Sequence, residues 1–180
     1  MLDIENSALV IIDIQEKLVM ASKYGNDVVK NASKIAKAAD ILTIPTIVTE
    51  QYPTGLGETV PELKLALTKE RFTCEKTSFS AMMEPEFAEK IRSLGKKQIA
   101  ICGIETHICV LQTAADLIKD GFEVYVVKDA CASRNKKEYK TGLELLKQYG
   151  AKIACTEIVL FEWLKTSKHP NFKEIQTLIK

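Results

Sequence analysis

The stretch Gly103-Ile-Glu-Thr-His-Ile-Cys109 carries the densest chemistry in this chain. A strand-to-helix turn is expected there: Gly103 ends a strand, Thr106 is a good N-cap, and a helix can begin at His107. Cys109 then falls in the first helical turn, where free amides and the helix dipole favour an anion. That position is expected to lower a thiol pKa and give a nucleophile near neutral pH. Asp13 closes an apolar run, Ile11-Ile-Asp-Ile-Gln15, in which an unpaired carboxylate is costly to bury. It reads either as a structural aspartate capping backbone amides or as a base at the edge of a sheet. Lys76, in Cys74-Glu-Lys-Thr-Ser-Phe-Ser80, reads in isolation as a solvated loop lysine. Between a carboxylate and a thiolate, however, a lysine would stabilise both. The three together supply what nucleophilic catalysis needs, a nucleophile and an adjacent proton acceptor. Cys74, Cys102, Cys131 and Cys155 sit in or beside apparent strands and read as small buried hydrophobes.

The elements that must position these residues alternate along the chain. Ser7 to Ile14 is a continuous apolar run, as expected of a strand buried on both faces of a parallel sheet. A helix is expected over about Asp27 to Asp40, with Val28, Ala32, Ile35 and Ala39 on one stripe. Pro45 to Thr49 reads as a second strand. The loop Glu50 to Pro61, with two prolines and two glycines, reads as surface turns. Arg71 to Lys76 is expected to be a more polar edge strand, followed by a helix from Pro85 to Leu94 that Gly95 stops. Strands are then expected at Gln98 to Cys102, Phe122 to Val127 and Lys152 to Cys155. Helices are expected at His107 to Lys119, Lys136 to Tyr149, Glu157 to Leu164 and Asn171 to Ile179. Strands spaced by helices imply right-handed crossovers and a mostly parallel sheet with helices on both faces, a three-layer α/β/α arrangement. Ligands in such folds bind at the carboxyl ends of the strands. The residues to inspect are therefore Asp13, Glu50, Lys76, Gly103 to Cys109, and Lys128-Asp129.

The 180 residues fit one domain, 1–180, with one sizeable core. With 25 basic and 24 acidic residues there is no net field to favour nucleic acid or an anionic membrane. The first apolar run is too short for a secretory signal, and no run is long enough for a membrane span. Five cysteines without CxxC spacing suggest neither a disulfide framework nor a zinc knuckle, so a reducing cytoplasm is the expected setting. No glycine-rich phosphate loop is present, so no nucleotide cofactor is expected.

In order and context, Asp13 in Ile-Asp-Ile-Gln, Lys76 in Glu-Lys-Thr-Ser-Phe-Ser and Cys109 in Gly-Ile-Glu-Thr-His-Ile-Cys-Val resemble the isochorismatase-like cysteine hydrolases. The stretch Val48 to Glu62 is most similar to the subgroup of isochorismatase domain-containing proteins. The resemblance implies a Rossmann-like isochorismatase hydrolase fold that usually associates, so a homo-oligomer is expected. It also implies a catalytic set of Asp13, Lys76 and Cys109. The Cys109 thiolate would attack the carbonyl of a small amide-type molecule, Asp13 would take the thiol proton, and water would hydrolyse the thioester. It further implies a cis Ile104-Glu105 peptide, with the backbone amides of Glu105 and Cys109 forming an oxyanion hole. Gln15, Tyr52 and Phe79 are the candidates to touch substrate.

The family's nicotinamidase branch binds a metal through an Asp-x-His after the second strand. This chain has no histidine between Val48 and Leu63 and only His107 and His169 in all, so no metal is expected. Isochorismatases that cleave a vinyl ether lack the cysteine, which argues against isochorismate as substrate. His107 is expected to point away from the nucleophile. Two other readings compete: a non-catalytic interaction protein that keeps the fold, and a redox-sensing thiol protein, which lacks an obvious resolving cysteine.

Overall fold

The computed structural model describes residues 1–67 and 71–180. After a single 3-10 turn (Ile4–Asn6) come a strand, β1 (Ser7–Ile12), then two helices, α1 (Glu16–Ala21) and α2 (Gly25–Leu42). After β2 (Thr46–Gln51) come two short helices, α3 (Pro53–Leu56) and α4 (Pro61–Ala66). Next in order are β3 (Phe72–Lys76), α5 (Pro85–Ser93), β4 (Gln98–Ile104), a π-helical turn over Thr106–Val110, and α6 (Leu111–Lys119). The chain closes with β5 (Glu123–Ala132), α7 (Lys136–Gln148), β6 (Lys152–Ala154), α8 (Thr156–Leu164) and α9 (Phe172–Thr177).

The six strands form one sheet in the order β3-β2-β1-β4-β5-β6, every pair parallel. The chain first steps outward from β1 to β2 to β3, then restarts on the other side of β1 with β4 and steps the opposite way. Right-handed crossovers place helices of the two halves on opposite faces. Accordingly α2 packs on β1, β4 and β5 beside α8, and α6 packs on β5 beside α7. The direction of winding reverses between β1 and β4, and in such folds ligands bind outside the carboxyl ends of the strands at this switch point. Every residue of β1 and β4 is buried, which explains their unbroken apolar runs.

Several boundaries differ from the sequence-based expectation. The Glu50 to Pro61 stretch is not simply surface turns: Thr59 and Val60 are buried, and Thr59 bridges to Gln15. β4 does not stop at Cys102 but continues through Gly103 to Ile104. Gly103 has φ +140°, and a Cβ there would lie 2.0 Å from the Ile12 carbonyl oxygen, so glycine permits the close approach of β4 to β1. β5 runs five residues past Val127 because it bulges against β4.

The buried thiols give the fold a predicted alkaline limit. Burial raises Cys74 from near 9 to about 11, Cys131 to about 12, and Cys102 well above its ordinary value. The folded chain therefore holds these protons more tightly than the unfolded chain, whose thiols ionise near pH 9. That stabilisation is complete below about pH 9 and is lost as pH rises toward 11–12. Each tenfold difference in proton affinity between the two states is worth ~1.4 kcal/mol, so the summed loss by about pH 11 is of the order of a few kcal/mol. Urea midpoints should fall steeply between about pH 8 and about pH 10.5, and less steeply for Cys131→Ala. Equal midpoints at the two pH values would contradict this.

Candidate active site

Asp13 is the first residue beyond β1, and its backbone turns sharply there, with φ +49°. Its N–H donates to the Thr49 carbonyl at 3.2 Å, and its Oδ1 accepts from Thr49 Oγ1 at 2.6 Å. Thr49 can do this because the register aligns it with Ile12, the residue before Asp13. Asp13 Oδ2 lies 2.8 Å from Lys76 Nζ, and both side chains are fully buried. Lys76 ends β3 on the sheet's edge, opposite Gln51 of β2. Its ammonium also donates to Gln51 Oε1 (2.5 Å), Ser78 O (3.2 Å) and Phe79 O (3.3 Å). Three oxygens thus take the three protons of the ammonium. Asp13 Oδ2 keeps a close ionic contact without accepting an aligned hydrogen bond. A buried carboxylate oxygen with a free lone pair is a proton acceptor held in reserve.

Cys109 reaches the same place from β4. The Ile104–Glu105 peptide is cis. The following turn is wider than an α-helix, with Val110 N–H donating to Glu105 O at 3.2 Å, five residues back. The residue before the turn is Glu105, not Thr106, and the Thr106 hydroxyl is buried without a hydrogen-bond partner. Cys109 is buried, with the Asp13 carboxylate, the Lys76 ammonium and the Glu105 backbone near enough to act on its charge.

The expected low thiol pKa is overturned. Burial, and then the charge of Asp13, push Cys109 up to about 12, outweighing the opposing pull of Lys76 and the Glu105 amide. Position at a helix start was the wrong guide because it ignored desolvation, which is the larger effect in a dry site. Burial and the neighbouring Asp13 thus favour the neutral thiol.

The remaining candidates separate into three groups. Gln15 is buried, and both donors of its amide are committed: Nε2 donates to Gln51 O (3.0 Å) and Gly57 O (2.6 Å), while Oε1 accepts from Gln51 N–H (2.7 Å). It positions the β2 end, and a second lone pair on Oε1 is what it could still offer a ligand. Tyr52 and Phe79 are more than half exposed beside Lys76, whose carbonyl accepts from Tyr52 N–H at 2.9 Å. Glu50 is turned to Thr59, whose N–H and hydroxyl it accepts at 2.7 and 2.6 Å, pinning the loop. Lys128 and Asp129 lie in the β5 bulge, away from this cluster. His107 does point elsewhere, with Nδ1 2.9 Å from Ser133 Oγ. The Glu105 carboxylate is likewise drawn off, accepting from Arg134 N–H (2.9 Å) and Nε (3.0 Å).

Thr49 and Gln51 do not stand out in the sequence as candidates, yet they hold Asp13 and Lys76. Their signal was present: both are polar residues in the carboxyl-terminal half of β2, after Ile47 and Val48. Among the described residues, no group of three or more His, Cys, Asp or Glu side chains is placed to hold a metal ion. Among them, too, no helix is long and apolar enough to cross a membrane.

Comparison with known proteins gives consistent matches. A family profile described as the Isochorismatase domain matches residues 7–158. Isochorismatase domain-containing protein 2 of Xenopus laevis is 42% identical over 175 residues, covering 97% of this chain and 83% of the relative. A solved structure described as MAR1 ribonuclease from Caenorhabditis elegans superposes with a TM-score of 0.94 at 40% identity, covering 99% of this chain and 91% of that one. The YCAC gene product of Escherichia coli, described as an octameric hydrolase of unknown specificity, superposes with a TM-score of 0.87 at 26% identity. It covers 98% of this chain and 94% of its own.

Proposed function

This chain belongs to the isochorismatase family, among the isochorismatase domain-containing proteins, and we propose that it is a metal-independent cysteine hydrolase of small amide-type molecules. The observation that carries the reading is the fully buried Asp13–Lys76 pair, with the Cys109 thiol close enough for both charges to act on it. A scaffold gains little from such a pair, because taking two charges out of water costs more than most surface alternatives.

The chemistry follows from the resting protonation. As Cys109 Sγ bonds to the substrate carbonyl carbon, its proton passes to Asp13, so no free thiolate need accumulate. The carbonyl electrons move to oxygen, which the backbone amides of Glu105 and Cys109 stabilise. With Asp13 now neutral, the Lys76 charge is unbalanced and adds to that stabilisation. The C–N bond breaks as Asp13 returns the proton to the leaving nitrogen, giving a thioester on Cys109. Water then attacks the thioester with Asp13 as base, releasing the acid and restoring the thiol. Tyr52 and Phe79, exposed beside Lys76, would line the approach. Five free cysteines fit a reducing cytoplasm. The octameric description of the E. coli relative supports a homo-oligomer.

A second reading comes from the C. elegans structure's description as a ribonuclease. A sulfur nucleophile suits acyl carbon, and neither histidine joins the cluster to activate a ribose hydroxyl, so the amide reading is favoured. A panel of small amides, with an RNA oligonucleotide in parallel, tests both. Ammonia or amine release by wild type and none by Cys109→Ala supports the proposal. RNA cleavage that survives Cys109→Ala, with no amide turned over, defeats it.

A further inference from the structure

The carboxyl edge of the sheet carries a second concavity, one strand beyond the crevice that holds Cys109. Between Val126 and Cys131, residues 127–130 of β5 stand opposite the single residue Cys102 of β4, so β5 bows out of the sheet. The bow is pinned from both helical layers: Asn31 Nδ2 of α2 donates to Asp129 O at 2.7 Å, and the Tyr139 hydroxyl of α7 donates to Lys128 O at 2.9 Å. A bulge held this firmly is a fixed feature that re-aims side chains, not a loose strand. It opens a groove of about 570 Å³ between α2, β5 and the start of α7, within the range of small-molecule sites. None of Asp13, Lys76 and Cys109 lines it.

Four lysines border this groove: Lys30, Lys34, Lys128 and Lys136. Among the described residues none of them is placed in an ion pair. Two aspartates, Asp27 and Asp129, also line it, and one oxygen of Asp129 is occupied by the Thr156 N–H at 2.8 Å. Excess positive charge converging on a concave, partly apolar wall focuses an attractive potential for anions. Tyr24, 42% exposed, and Tyr139 add two aromatic rings to the same walls.

We propose that this groove binds a small phosphate ester carrying a flat ring, of which a nucleotide is the type. The lysines take the phosphates, and Tyr24 offers a face for the ring. A small ligand is favoured over a polymer because lysines from α2, β5 and α7 meet around one groove of about 570 Å³.

Calorimetric titration of the full chain with ATP, AMP and pyrophosphate at low salt tests this. Lys128 and Lys136 are the residues to change, because Lys30 and Lys34 also border a neighbouring groove on α2. Saturable ATP binding is expected, weakened about tenfold or more in Lys128→Ala/Lys136→Ala with its circular dichroism unchanged. Tyr24→Ala should weaken ATP while leaving pyrophosphate unaffected. Absence of saturable ATP binding, or equal ATP affinity in the folded double variant, would overturn the assignment. So would a single-stranded RNA that binds more tightly than ATP and loses affinity in Lys37→Ala, outside the groove, as strongly as in the double variant.

Discussion

Lys76→Met should destabilise the protein by about 3–5 kcal/mol and remove its activity, although the side chains are similar in length. The cost arises because Asp13 stays behind, fully buried and with its charge partner gone. The three acceptors now served by the ammonium, Gln51 Oε1 and the Ser78 and Phe79 carbonyls, also lose their donor. Lys76→Met/Asp13→Asn should recover part of the stability and none of the activity, since no buried charge is stranded and no base remains. Urea unfolding of the two variants checks this. A Lys76→Met protein within about 1 kcal/mol of wild type would mean that the pair is hydrated and the site is not dry.

Asp13→Asn should lower turnover by about 10²–10⁴-fold while making Cys109 easier to alkylate. The two effects oppose each other, and the opposition is diagnostic. In the wild type the carboxylate helps hold the thiol at about 12, so at neutral pH almost no thiolate is present and iodoacetamide should label Cys109 slowly. Labelling should accelerate as pH rises toward that value. Removing the negative charge leaves Lys76 and the Glu105 amide to favour the thiolate, so the variant should label faster at pH 7. Cys155, half-buried and the least buried of the five thiols, provides the internal reference. A variant that lost turnover and labelling together would show that Asp13 acts by holding the local structure.

The order of the strands and longer helices was legible because buried parallel strands leave unbroken apolar runs, as in Ser7–Ile12, and helices leave stripes, as in Gly25–Leu42, whereas the short helices Glu16–Ala21, Pro53–Leu56 and Pro61–Ala66 are too brief to leave one. The meeting of Asp13, Lys76 and Cys109 was legible too, because each lies at or just beyond the carboxyl end of a strand. What the sequence hid depends on hydrogen bonding and desolvation at a distance. The amide of Gln15 is committed to Gln51 and Gly57, 36 and 42 residues away, which no local pattern signals. Thr106 has the composition of an N-cap, but the wide turn begins at Thr106 itself, preceded by Glu105, with no side-chain cap. The thiol pKa depended on how dry the site is, and Cys109's position near a helix start said nothing about that.

Hydrolysis through a thioester requires Cys109 to become acylated during turnover. Acid-quenching the enzyme within its first turnovers on an active amide, followed by intact-mass analysis and peptide mapping, tests it most directly. A mass increase equal to the acyl group is expected, confined to the peptide bearing Cys109, labile to hydroxylamine and absent from Cys109→Ala. Product release by an enzyme with no acyl adduct at Cys109, or with the adduct on another residue, would contradict it.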